Sequence, residues 1–450
     1  KQEYTLTAVS IDNNGRRSNT ATTLIRVLPA QSDIETLSVT PDEAVIADNV
    51  QFATLTASIK DASGAVVPGQ ALTFSVEGLN DAQNASAATL FTDTQSHNKQ
   101  LAVVTDARGQ AAVMLRSKVA KKGTVTVKMD NGKIKTVPVT FTADTESASV
   151  ASLTVTKNDA HANGVDANEI EAVVHDVHGN PLANFTVEAD VDNDGVVDIS
   201  SSTDVNGRTT LRVTNERAGE TTVTVRSGSM ARAFKVATVH FHVDKSATHI
   251  AAGDLTVDTG AKADGTDSNA LTVKVTDSNG NVAKDVTLEI SASGTAGNAV
   301  VTPSVVQTDN NGLASAAVTS LKAGQFTVTA VVRESGKSAN ATTEFVSDDA
   351  TATITDSNMH VTSGAKADGK LTNSVQVIVT DAQGNLVPGV SVSFVADNAA
   401  VKFAESAPTT DTNGVASTTM TSTLAGQFKI TATVGNVSRN MDTTFIADIS

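Results

Sequence analysis

The chain of 450 residues contains no cysteine and no tryptophan, and Tyr4 is its one tyrosine. Without cysteine no disulfide can staple the fold, so every core must hold by packing alone. In an exported protein the same absence means that no disulfide forms early and blocks passage across a membrane. A chain that never needed cysteine has the same composition. Sugar-binding faces usually stack their ligands on Trp or Tyr, so the aromatic shortage argues against an accessory module of a polysaccharide enzyme. The longest apolar stretches are of strand length, too short for a membrane-spanning helix. The net charge is −16 and no basic cluster interrupts it, which argues against nucleic acid or anionic lipid as the main partner. No window carries a helical period over helical length, and no Ser/His/Asp arrangement or phosphate loop is visible. Lys1 opens in mid-domain without a signal peptide, which reads as a fragment or mature piece of something larger.

What is present is repetition. Ala-(Asp/Asn)-(Gly/Asn) followed by Asp-x-x-Gly occurs four times, at intervals near one hundred residues. The copies are Ala47-Asp48-Asn49 with Asp61 and Gly64, and Ala162-Asn163-Gly164 with Asp176 and Gly179. The others are Ala263-Asp264-Gly265 with Asp277 and Gly280, and Ala367-Asp368-Gly369 with Asp381 and Gly384. A second Asp-x-x-Gly recurs at Asp106, Asp204, Asp309 and Asp411, and a glycine opens a Thr/Val run at Gly123, Gly219, Gly324 and Gly426. Each unit closes on Phe-x-x-Asp: Phe141 with Asp144, Phe241 with Asp244, Phe345 with Asp348 and Phe445 with Asp448. The boundaries read as 1–33, the end of a preceding domain, then 34–147, 148–247, 248–350 and 351–450. A chain that repeats one domain is usually built for length or display and seldom for catalysis.

Within each unit, apolar and polar residues alternate at period two, as in Leu72-Thr-Phe74-Ser-Val76 and Val286-Thr-Leu288-Glu-Ile290. Even-spaced apolar residues face a core and the Thr, Ser and Glu between them face water. Short strands punctuated by Asp/Asn-Gly turns predict an all-β fold of tandem antiparallel β-sandwiches. The repeated aspartates (Asp61, Asp176, Asp277 and Asp381) are expected to form turns, with Gly64, Gly179, Gly280 and Gly384 supplying the positive φ that follows. The links between units are short and not Gly/Ser-rich, which predicts a stiff head-to-tail, elongated rod. The closing aspartates either cap the next unit's first turn and fix the joint, or are simply solvated.

The set of motifs resembles the bacterial Ig-like group 1 domains of the intimin/invasin family, the inverse autotransporter adhesins of Gram-negative bacteria. The fourth unit matches best, through Ala367-Asp-Gly369, Val377-Ile-Val-Thr-Asp381-Ala-Gln-Gly-Asn, Asp411-Thr-Asn-Gly414 and Ala425-Gly-Gln-Phe-Lys-Ile-Thr-Ala432. Residues 3–19 look like the last hairpin of the domain that follows the membrane barrel in such proteins. The resemblance implies Ig-like sandwiches, an outer-membrane β-barrel upstream on the same chain, and display on the bacterial cell surface. It implies a non-enzymatic stalk and adhesive segment attaching to a host cell-surface or extracellular-matrix protein. A purely structural spacer, or self-association with a like molecule on another bacterium, stays open. The family's lectin-like tip, with its cysteine pair and tryptophans, has no counterpart here, so the resemblance places no receptor-contact residue on this chain.

Two places invite a local function. Asp190-Val-Asp192-Asn-Asp194-Gly195-Val-Val-Asp198 sets Asp190, Asp192 and Asp194 at positions 1, 3 and 5 of a calcium loop, with Asp198 at position 9. Position 12 is Ser201 and no helices flank the loop, so a weak Ca2+ site is the functional reading. An acidic hairpin turn between Phe185–Val191 and Val196–Ile199 is the bland one. No other cofactor is expected, and the six histidines between His161 and His249 have no spacing that demands a shared metal. The first unit carries an insertion over 79–98, expected either to be a contact surface or to be a surface loop without function.

Overall fold

The computed structural model describes residues 2–27, 31–80, 87–97, 99–199, 202–227 and 234–449. The chain divides into two compact units. One comprises Lys1–Ala160, Asp166–Asn215 and Gly219–Phe241; the other comprises His161–Val165, Glu216–Ala218 and His242–Ser450.

The first unit begins with an antiparallel hairpin, Gln2–Ala8 on Ala21–Val27. The sandwich that follows has two five-stranded sheets. One runs in the order Ser32–Thr40, Ala53–Asp61, Gln110–Ser117, Ala88–Phe91, Ser96–His97, and the other Val45–Ile46, Ile134–Thr142, Lys122–Met129, Ala71–Glu77, Gln100–Val104. All ladders are antiparallel except Val45–Ile46 on Ile134–Thr142. The period-two pattern explains the layering: in Ala53–Asp61 every second residue is buried. Leu55, Ile59, Leu72, Phe74, Val125, Val127 and Phe141 meet between the sheets. The next sandwich sets Ser149–Lys157, Asn168–His175, Arg208–Thr214 and Val196–Ile199 in one sheet and Phe234–His242, Gly219–Ser227 and Val187–Val191 in the other.

In the second unit, the third sandwich is closed along one side. Gly297–Thr302 pairs with both Thr287–Gly294 and Leu313–Thr319, so its two sheets run into one nine-stranded sheet, with Val305–Gln307 branching from Thr287–Gly294. The fourth sandwich keeps two four-stranded sheets, one built on Asn373–Ile378 and Val415–Ser422, the other on Gly426–Val434 and Val437–Ile446.

The recurring motifs have definite places. The closing phenylalanines Phe141, Phe241, Phe345 and Phe445 are buried. Three of them pair with the run-opening glycine of the neighbouring strand: Gly219 with Phe241, Gly324 with Phe345 and Gly426 with Phe445. Ala47, Ala162, Ala263 and Ala367 each donate a backbone N–H to the closing strand, at 2.7–2.9 Å. After that strand, Asp144, Asp244 and Asp348 cap short 3-10 turns by accepting from the N–H of Glu146, Ser246 and Ala350. Capping is therefore the role of the closing aspartates at these three positions.

One expectation fails. Val187–Val191 and Val196–Ile199 do not form a hairpin; the first pairs with Gly219–Ser227 and the second with Arg208–Thr214, in opposite sheets. The turn between them carries the chain across the sandwich. Asn193 and Asp194 both take a left-handed backbone, with φ of 54° and 60°. Asn215 Nδ2 donates to the Asn193 carbonyl at 2.9 Å, and Asn193 Nδ2 donates to the Glu220 carbonyl at 3.2 Å. These bonds tie the turn to residues on both sides of the sandwich, which a two-stranded ribbon would not allow.

Candidate functional site

The first Asp-x-x-Gly turn does more than reverse the chain. In the fourth domain, Asp381 Oδ1 accepts the N–H of Gln383 at 2.9 Å and of Asn385 at 2.8 Å, which closes the turn. That leaves Oδ2 to receive Asn385 Nδ2 at 2.9 Å. Because a carboxylate only accepts, this contact fixes which end of the Asn385 amide is nitrogen. The Asn385 oxygen then accepts the Ala323 N–H at 3.0 Å, and Nδ2 also donates to the Leu321 carbonyl at 3.1 Å. The side chain thus pairs with backbone two residues apart, as a neighbouring strand would. Asp381 Oδ2 further accepts the Asp348 N–H at 3.1 Å. Asp381 is 2% exposed, and these four donors satisfy a carboxylate that would otherwise be costly to bury.

The same latch occurs twice more. In the first unit, Asn180 accepts from Ala120 N–H at 2.8 Å and donates to the Lys118 carbonyl at 2.9 Å, oriented by Asp176 at 2.8 Å. Asp144 N–H donates to Asp176 at 3.2 Å. In the second unit, Asn281 accepts from Ala218 N–H at 2.9 Å and donates to the Glu216 carbonyl at 2.8 Å, oriented by Asp277 at 2.9 Å. Two of the receiving loops are braced from within: buried Ser117 bonds both N–H and carbonyl of Val119, and Ser320 does the same to Lys322. In the first domain Asp61 forms its turn in the ordinary way, but the residue after Gly64 is Ala65, which has no amide to offer.

Sequence reasoning assigned Asp176, Asp277 and Asp381 to turns and overlooked the asparagines Asn180, Asn281 and Asn385. The signal was present, since Asn follows Asp-x-x-Gly in three of the four copies. It also overlooked a buried asparagine six residues beyond the alanine of Ala-(Asp/Asn)-Gly. Asn168, Asn269 and Asn373 accept from the N–H of Ala160, Ala261 and Ala365 and donate to the His240, Glu344 and Thr444 carbonyls. In the first domain that position is Ala53.

Electrostatics follow from the turns. Backbone N–H groups hold the carboxyls of Asp106, Asp204, Asp309 and Asp411 below the ordinary carboxylate value. Lys262 Nζ lies 2.6 Å from Asp348 Oδ1, which raises the lysine and lowers the aspartate.

The acidic loop shows its four aspartates exposed. Asp190 pairs with Arg226, and Asp192 Oδ1 accepts the Thr222 N–H at 2.6 Å. Asp190 and Asp198 stand on strands of different sheets.

Of the insertion 79–98, residues 81–86 and 98 lie outside the described residues. Its described part includes the strands Ala88–Phe91 and Ser96–His97. There Phe91 meets Phe52 edge-on, ring centroids 5.7 Å apart, and the Arg116 guanidinium lies 5.1 Å from the Phe91 centroid. Phe52 is 44% exposed and neighbouring Val50 75%. Arg116 Nε is buried and has no hydrogen-bond acceptor among the described residues. In the second sandwich the rung that corresponds to Phe91–Met114–Thr54 is Asp198–Arg212–Glu169, so this apolar patch belongs to the first domain's own sequence.

A family model for the bacterial Ig-like domain (group 1) matches residues 34–142, 150–249, 252–346 and 355–446. The chain is 30% identical over 446 residues to the inverse autotransporter adhesin YeeJ of Escherichia coli (strain K12), covering 96% of this chain and 18% of that protein. It is 32% identical over 186 residues to intimin of Escherichia coli O127:H6 (strain E2348/69 / EPEC), covering 41% of this chain and 19% of that protein. The crystal structure of invasin, a bacterial integrin-binding protein, aligns at 18% identity with a TM-score of 0.40, covering 91% of this chain and 79% of that one. The chain therefore spans less than a fifth of the length of the curated relatives it matches.

Proposed function

The chain belongs to the bacterial Ig-like (group 1) domain family, and from that membership we propose that it is the stalk and adhesive segment of a Gram-negative outer-membrane adhesin. It stands on the extracellular side of the outer membrane, carried by a β-barrel upstream in the longer protein. Its work is attachment to a protein on a host cell or in extracellular matrix, and it performs no catalysis. The observation that supports this reading is the tandem of four such domains, with the buried Asp–Asn latch recurring along it. A buried charge-assisted contact at a domain end suits a part that must transmit force, because its bonds are shielded from competing water.

The adhesive contact is assigned to the first domain, at Phe52, Phe91 and Arg116. Aromatic residues and arginine are over-represented where binding energy concentrates, and Phe52 is exposed beside the more exposed Val50. Calcium at Asp190, Asp192, Asp194 and Asp198 belongs to the proposal as a weak accessory site; all four carboxylates are open to solvent.

The test is binding of labelled chain to epithelial cells and immobilised matrix proteins, with and without calcium. Saturable binding that unlabelled chain competes, and that Phe52→Ala with Phe91→Ala weakens at least about tenfold, supports the reading. Absence of binding in both conditions leaves a spacer. Clumping of beads coated with the chain alone points to self-association.

A further inference from the structure

We propose that the loop Thr423-Leu424-Ala425 of the fourth domain is a socket for another Ig-like domain carrying Asp-x-x-Gly-Asn. The inference does not depend on adhesive activity. It rests on three occupied copies of the same contact within this chain, and on a fourth loop that Ser422 builds as Ser117 and Ser320 build theirs.

Two of the three occupied receiving loops share one construction, and the third, Glu216-Arg217-Ala218, is preceded by Asn215 instead of serine. Ser117 precedes Lys118-Val119-Ala120, and Ser320 precedes Leu321-Lys322-Ala323. In each, the buried serine hydroxyl donates to the carbonyl and accepts the N–H of the middle residue, which turns the first carbonyl and the last N–H outward. An asparagine then takes both. Ser422 builds the loop again: its Oγ donates to the Leu424 carbonyl at 2.7 Å and accepts the Leu424 N–H at 3.0 Å. Ser422 is 1% exposed, as buried as its counterparts. The Thr423 carbonyl and the Ala425 N–H correspond to the Lys118 and Leu321 carbonyls and the Ala120 and Ala323 N–H groups that Asn180 and Asn385 bind, and neither has a partner among the described residues.

The occupant is specified by chemistry. It must bring an acceptor and a donor on one planar group, with a carboxylate behind it to fix the orientation. Asn180, Asn281 and Asn385 are each already engaged, and the first domain has Ala65 at that position, so a second copy does not fill the socket through its leading domain. The contact is thus an ordering code. A domain with Asp and Asn at this spacing docks behind any of these loops; a domain like the first does not.

The test extends the chain through Asp448 with a second copy of residues 349–450, and follows amide exchange over residues 423–427. The extension should slow exchange at Ala425 about tenfold relative to the unextended chain. Asn385→Ala made in the appended copy alone should return it to the unextended rate. Exchange in the appended core strand shows whether that copy is folded; if Asn385→Ala unfolds it, Asn385→Asp, which removes the donor, replaces it. No slowing on extension, or equal slowing with the asparagine removed from a folded copy, overturns the proposal.

Discussion

Asp381 and Asn385 face each other across four residues, Oδ2 to Nδ2 at 2.9 Å, and that contact turns a local turn into a junction. The carboxylate aims the amide and the amide grips a backbone loop some sixty residues earlier in sequence. Without Asp381 the amide would lose the contact that orients it before the loop is engaged. Without Asn385, one lone pair of a nearly inaccessible carboxylate would lose its donor.

Asn385→Ala should cost about 1–3 kcal/mol, since it removes two bonds to the loop and strands a donor and an acceptor there. The loss belongs to the junction, so exchange at Ala323 should accelerate while the core strand Gly426–Val434 keeps its protection. Equal acceleration in both would mean that Asn385 serves the domain's own fold.

Asn269→Ala should act on the domain interior. It leaves the buried Ala261 N–H without its acceptor and the Glu344 carbonyl without one donor. A loss of about 1–3 kcal/mol in chemical denaturation is expected, with Asn269→Asp restoring little because it cannot donate.

Two glycines of the same motif should differ. Gly280 has φ of +84° and open space where a Cβ would stand; Gly312 has φ of +71°, and its Cβ would lie 2.6 Å from the Val275 carbonyl oxygen. Gly280→Ala should cost about 1 kcal/mol from backbone strain alone, and Gly312→Ala distinctly more because the turn must also back away from its neighbour. Thermal melts of the two variants decide this.

Stability should be flat near neutrality and fall in acid. The Asp106, Asp204, Asp309 and Asp411 carboxyls titrate below their ordinary value of 3.8, so their stabilisation is complete above that value and is lost as pH drops through the lowered one. Lys262 works the other way. Its value is raised above 10.5, so its pairing with Asp348 is intact below that and lost as alkaline pH passes the raised value. Melting temperature against pH, with Asp309→Asn as the acid control, measures both limbs.

Calcium should raise the melting temperature at millimolar concentration, with Asp192→Asn and Asp194→Asn abolishing the rise. The Asp190–Arg226 pair must open for Asp190 to take part, so Arg226→Gln should tighten binding. A melt unmoved by calcium removes the site.

Local chemistry was legible in the sequence because it needs only neighbours. Alternating Val, Leu and Phe give strands; an aspartate accepts the N–H two and four residues on; glycine alone takes the positive φ without strain. Hence Asp61, Gly64 and their repeats could be placed from the chain by itself, and the register of four similar sandwiches with them. What depends on groups brought together from far along the chain was not legible. The strands Val187–Val191 and Val196–Ile199 look like a hairpin by spacing, and only their separate partners send them to opposite sheets. Gly280 and Gly312 are alike as letters, and only the Val275 carbonyl tells them apart. Asn180 and Asn385 are polar residues after a turn until a second loop presents a carbonyl and an N–H at hydrogen-bond distance. A backbone turn is fixed by bonds between neighbours in sequence, whereas a latch exists only when two surfaces meet, and that meeting is decided by the tertiary structure.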